Sequence, residues 1–94
     1  MITSYRDRDT EHLAVGEKVR QWKPFRRQAE KRLRIIDAAA SLGDLAAINF
    51  NRLEGLKGDR KGQHSIRIND QWRICFKWPK NDSGPSNVEI VDYH

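Results

Sequence analysis

Along the second half of the chain, apolar and polar positions alternate with a period of two. In "QWRICFKW" Trp72, Ile74, Phe76 and Trp78 take one side, and Arg73, Cys75 and Lys77 take the other. In "QHSIRI" Ile66 and Ile68 alternate with Ser65 and Arg67. This period predicts two antiparallel strands with one buried face. A two-residue turn at Asn69-Asp70 would pair Ile66 with Arg73 and mix the two faces. A three-residue loop, Asn69 to Gln71, pairs Ile68 with Trp72, Ile66 with Ile74 and Arg67 with Arg73, so each face stays uniform. The same register turns His64 toward the apolar side as a structural residue.

The first half follows a different period. Phe25, Ala29, Leu33, Ile36 and Ala40 fall at intervals of three and four, one buried stripe of a helix over "PFRRQAEKRLRIIDAAASL". Pro24 suits its first turn and Gly43 its end. Arg26, Arg27, Lys31 and Arg34 lie off the stripe on a solvated face, with Glu30 and Arg34 spaced as an i,i+4 pair. Upstream, "ITSY" reads as a short first strand. A short helix follows, capped by Asp9 or Thr10 and ended by Gly16. Glu17 to Lys23 reads as a loop, Gly43 to Asn51 as irregular, and "NVEIVDYH" as a last strand. Two early helices and then consecutive strands predict an α+β fold, a small antiparallel sheet with helices on one face.

Length and composition narrow this to one domain spanning 1–94, with a modest core. Eighteen Lys and Arg against thirteen Asp and Glu leave a net charge of +5, which favours anionic partners. Cys75 stands alone, so it forms no internal disulfide, and no metal-ligand spacing surrounds it. With no apolar signal core and no apolar run of membrane length, the expectation is a cytoplasmic chain that engages no membrane.

The candidate chemistry lies on the polar side of the hairpin. Arg67 and Arg73 are expected to stand side by side on an uncovered face. Opposed like charges are destabilising unless an anion sits between them, and the guanidinium fork suits phosphate. Lys57 and Lys77 enlarge the patch. "NRLEGLKGDRKGQ" adds a glycine-rich turn carrying Arg52, Lys57, Arg60 and Lys61, where backbone can approach a ligand closely. At the terminus Asp92, Tyr93 and His94 offer a proton carrier with a carboxylate to orient it. Strict alternation separates Tyr93 from the other two.

"LEGLKGDRKGQHSIRINDQWRICFKW" with a terminal "VEIVDYH" resembles the HigB-type toxins of bacterial type II toxin–antitoxin systems, in the RelE/ParE superfamily, and within it a GraT-like branch. The resemblance implies a compact domain with a twisted antiparallel sheet, helices on one face and a catalytic groove on the other. It implies a ribosome-dependent mRNA endonuclease acting in the 30S A site. Arg73 of the WRI motif would contact the scissile phosphate, and Lys57 of the LKG motif would line the groove; Arg60, Lys61, Arg67 and Lys77, read from the hairpin and the glycine-rich turn, are expected to bind RNA beside it. Asp92, Tyr93 and His94 would serve substrate binding and catalysis. Many of these toxins read "LHPLKG" where this chain has "LEGLKG", so Glu54 stands in place of a histidine that is a candidate acid or base. Cleavage needs no metal or cofactor in this scheme: the 2′-hydroxyl attacks the adjacent phosphate, leaving a 2′,3′-cyclic phosphate and a 5′-hydroxyl. The resemblance further implies a HigA/GraA-like helix-turn-helix antitoxin, with operator DNA bound through it. A ParE-like inhibitor of DNA gyrase and a non-catalytic RNA-binding protein are the alternatives.

Overall fold

The structure, a computed structural model, describes residues 1–80 and 82–92. Tyr93 and His94, both expected at the site, lie outside the described residues. Three helices precede most of the sheet: α1 (Arg8–Ala14), α2 (Arg26–Ala38) and α3 (Leu42–Ala46). The strands are β1 (Glu54–Gly55), β2 (Gln63–Arg67), β3 (Trp72–Lys77) and β4 (Ser86–Asp92). They form one antiparallel sheet in the order β1-β2-β3-β4. The α+β expectation is met.

The hairpin register is the one that keeps the faces uniform. Ile66 pairs with Ile74 and Arg67 with Arg73. The loop closes through Ile68 N–H donating to Trp72 C=O at 2.9 Å. Inside it, Asn69 Oδ1 accepts from the backbone N–H of Gln71 and of Trp72, at 2.9 and 2.8 Å. An asparagine side chain that satisfies two loop donors fixes the loop length, and with it the register.

Helices cover the apolar face of the sheet. Ile66, Ile74, Phe76, Val88 and Ile90 pack with Leu13, Trp22, Phe25, Ala29, Leu33 and Ile36, all buried. Phe25 stacks on Trp72 with ring centroids 5.1 Å apart. Each large apolar side chain buried here contributes about 1.5–3 kcal/mol, and this burial holds the sheet to α2. His64 pairs with Phe76 across β2 and β3, its ring stacked 6.3 Å away, on the apolar side as expected.

Several local expectations are corrected. "ITSY" contributes only one parallel bridge, Tyr5 to Val88, rather than a strand. The cap of α1 is Asp7, whose carboxylate accepts from Thr10 N–H at 3.1 Å and from the Thr10 hydroxyl at 2.7 Å. The Thr10 hydroxyl is fully buried and accepts from Ile90 N–H, which ties α1 to β4. Arg20–Phe25 is a 3-10 helix rather than a loop, because Trp22 and Phe25 both turn into the core. α2 stops at Ala38 because Ser41 caps a new helix, its Oγ accepting from Asp44 N–H while Asp44 accepts from Ala40 N–H. Gly43 therefore lies inside α3 and terminates nothing, and the stretch to Asn51 is ordered as α3 and a 3-10 turn. Glu30 pairs with Arg26, not Arg34.

Candidate active site

The register sorts the outer face into rows of cross-strand neighbours. Glu54, Ser65, Cys75 and Glu89 form one row, Arg67, Arg73 and Val91 the next, and Gln63 with Lys77 a third. Ser65, Arg73, Cys75 and Glu89 are all buried on this face, so it is not the bare surface that alternation implies. Long charged side chains cover it.

Arg73 is the centre of the arrangement. Its Nε donates to Ser65 Oγ at 2.7 Å, and its Nη2 donates to the Arg52 carbonyl at 2.6 Å. Arg73 as a whole is only 9% exposed, so a fixed rather than a splayed cation is presented. Its Nη1 faces the Glu54 carboxylate at 3.9 Å, beyond hydrogen-bond length. Arginine carries five N–H donors in a rigid fork, and the Nη1 pair is the part of this fork aimed at the site.

The Arg52 carbonyl reaches Arg73 because Arg52 is left-handed, with φ +45° and ψ +57°. A non-glycine residue there carries strain of about 1–3 kcal/mol. Arg52 is exposed, and no packing of its own side chain requires this conformation. It is the left-handed cap of the 3-10 turn Asn49–Asn51, its N–H donating to the Asn49 carbonyl, and its own carbonyl is left facing Arg73.

Arg67 and Arg73 are cross-strand partners as the alternation requires, but their head groups diverge. Arg67 pairs with Asp70 in the hairpin loop, while Arg73 turns along β2 toward Ser65. The expected anion between them is therefore not needed to relieve their repulsion. Protein acceptors separate the charges. Arg60 lies on the same outer face, where Nη1 donates to Glu89 at 2.7 Å and to Gln63 at 3.1 Å. Arg6 reaches the other oxygen of Glu89 at 3.0 Å. Lys57, Lys61 and Lys77 are exposed around this turn and strand.

Cys75 lies beneath the arginines, and burial pushes its thiol up to about 11, so it is not a nucleophile at neutral pH. Among the described residues no cluster of His, Cys, Asp and Glu has the arrangement to hold a metal ion. Asp92 is placed differently from Arg73. It pairs with Trp72 across β3 and β4, which sets it on the other face by register, and it accepts from Gln71 Nε2 at 3.0 Å. The described part of the site is thus Arg73, Glu54, Ser65 and the Arg52 carbonyl.

Residues 5–94 match the family model described as the RelE-like toxin of type II toxin–antitoxin system HigB. The chain belongs to the HigB-like toxin family. Toxin HigB-1 of Vibrio cholerae serotype O1 is 46% identical over 48 residues, 51% of this chain and 50% of that protein. Endoribonuclease HigB of Proteus vulgaris is 41% identical over 63 residues, 67% of this chain and 65% of that protein. The aligned stretches therefore span from half to just under two thirds of these relatives' own lengths. A solved YoeB/ParE toxin from Agrobacterium tumefaciens superposes with a TM-score of 0.46 at 22% identity, covering 80% of this chain and 84% of its own.

Within this HigB-like toxin, the hairpin motif and the WRI arginine were legible from alternation. Ser65, the Arg52 carbonyl and the Glu89 clamp were not. Ser65 carried one signal, as a small polar residue facing the arginine row. The Arg52 carbonyl carried none, since any residue has one.

Proposed function

We propose that this chain is a metal-independent endoribonuclease that cuts translated mRNA in the 30S A site of the ribosome. The observation that carries the reading is a buried Arg73, fixed by Ser65, with its Nη1 3.9 Å from the exposed carboxylate of Glu54. Strand scission in RNA needs both: a base for the 2′-hydroxyl, and a fixed cation for the charge that develops on phosphorus. The name of the Proteus vulgaris relative supports the same activity.

In this mechanism Glu54 takes the proton of the 2′-hydroxyl, whose oxygen attacks the adjacent phosphorus. The Nη1 donors of Arg73 hold the non-bridging oxygens of the phosphorane. The bond to the 5′ oxygen breaks, and His94 returns a proton to that oxygen, with Tyr93 stacking on a nucleotide. The products are a 2′,3′-cyclic phosphate and a 5′-hydroxyl. Lys57, Lys61, Lys77, Arg60 and Arg67 line the approach of the RNA backbone. The ribosome aligns the message, an alignment that a shallow basic face does not supply. The chain acts in the cytoplasm and is held inactive by a HigA/GraA-like helix-turn-helix antitoxin, through which the pair binds operator DNA.

The test is a primer-extension map of mRNA in a reconstituted translation system, with the intact chain, Arg73→Ala, Glu54→Gln and a His94 deletion. Discrete cuts that need ribosomes and vanish with Arg73→Ala support the reading. Growth arrest without any cuts overturns it in favour of a gyrase-type inhibitor.

A further inference from the structure

Phe50 sits in the 3-10 turn Asn49–Asn51 with 44% of its surface exposed, the one exposed Phe, Tyr or Trp ring among the described residues. Cations flank it. The Arg32 guanidinium lies 4.3 Å from the ring centroid and the Lys31 ammonium 5.1 Å. Two connections tie this ring to the Arg73 site. Arg32 Nε donates to the Arg67 carbonyl at 3.0 Å, and Arg67 is the cross-strand partner of Arg73. On the other side, Phe50 stands two residues before Arg52, whose carbonyl holds Arg73.

A half-exposed ring with two cations over it, Arg32 held by its bond to the Arg67 carbonyl, is a poor seat for an apolar protein side chain. It fits a partner that is both flat and anionic. Burial and the charge of Arg67 together hold the Arg32 guanidinium below its usual range, so positive charge is crowded here. Single-stranded nucleic acid supplies a π-face for the ring and phosphates for the cations.

We infer that Phe50 is a stacking platform for a nucleobase of single-stranded RNA, with Lys31 and Arg32 taking the adjoining phosphates. It would bind a nucleotide neighbouring the one held at Arg73. The inference rests on the reading of the Arg73 face as an RNA site, and it adds a subsite outside the cleavage machinery.

The experiment is fluorescence anisotropy of a short, labelled, fully 2′-O-methylated single-stranded RNA, which cannot be cut by attack of its 2′-oxygen. It is titrated with the intact chain and with Phe50→Ala, Phe50→Leu, Phe50→Trp and Lys31→Ala, each checked for folding by circular dichroism. Loss of the ring should weaken binding about tenfold or more in both Phe50→Ala and Phe50→Leu, while Phe50→Trp stays within about twofold. Lys31→Ala should lower the slope of log affinity against log salt by about 0.7.

Binding as tight with Leu as with Phe would overturn the inference, since apolar cover alone would then suffice. So would no binding by the intact chain, or loss of antitoxin capture in Phe50→Ala with RNA affinity unchanged. The mRNA cleavage map separates this from the nuclease reading. Ring-dependent binding without any cleavage leaves the platform standing and removes the nuclease. Cleavage with ring-independent binding does the reverse.

Discussion

Arg73 Nε donates to Ser65 Oγ at 2.7 Å, a buried bond between diagonal neighbours on β3 and β2. It fixes the guanidinium plane against the sheet and leaves Nη1 directed at Glu54. Ser65→Ala keeps the size of the residue but removes that acceptor. A hydrogen bond to a charged group contributes about 1.5–3 kcal/mol, so a chemical denaturation curve should show a loss of that order. If cleavage depends on Arg73, kcat should fall more than KM rises, because the cation is held less firmly where charge develops.

Arg73→Lys should fail nearly as badly as Arg73→Ala. Lysine carries the charge but lacks the fork that bonds Ser65 and the Arg52 carbonyl while still presenting Nη1. Loss of a fixed donor to the developing charge costs about 10²–10³ in rate. Single-turnover cleavage on programmed ribosomes measures it, and Arg73→Lys within about threefold of the intact chain would refute this account of the fork.

Glu54 is exposed and meets Arg73 only beyond hydrogen-bond length, so Glu54→Gln should leave the melting temperature within about a degree or two. Cleavage should drop by about 10²-fold or more if the carboxylate is the base. Glu54→His should restore part of it and move the acidic limb of the pH–rate profile toward the imidazole range.

Arg52 at φ +45° invites a backbone test. Arg52→Gly keeps the carbonyl that holds Arg73 and removes the steric penalty of the left-handed conformation, so stability should hold or rise by up to about 1 kcal/mol. Arg52→Val, β-branched in the same conformation, should destabilise by about 1–3 kcal/mol. Paired urea titrations would show it.

Cys75 gives a pH prediction. Its thiol sits near 9 when unfolded and about 11 when folded, raised by burial. Between those values the unfolded chain has released a proton that the folded chain still holds, so stability falls as pH rises through this window. The contribution lost is about 2–3 kcal/mol. Cys75→Ala should show a shallower alkaline decline than the intact chain. Parallel slopes from pH 8.5 to 11 would contradict it.

The sequence alone determined the parts that depend on local periodicity. Alternation in Ser65 to Trp78 decided the two strands, their register and the pairing of Arg67 with Arg73, because a slip by one residue would have moved every apolar side chain into water. The stripe of Ala29, Leu33 and Ile36 decided α2 in the same way, while Phe25, expected on it, closes the 3-10 helix before it. Tertiary structure decided where the charges went. Ser65, the Arg52 carbonyl and Asp70 come from three separate segments and together keep two opposed arginines apart. Glu89 recruits Arg60 and Arg6, fifty-four positions apart in the sequence. Long side chains reach several ångströms from their own backbone in any direction, and which acceptor they find depends on what folding has brought beside them. Periodicity assigns a residue to a face; only the packed fold assigns it a partner.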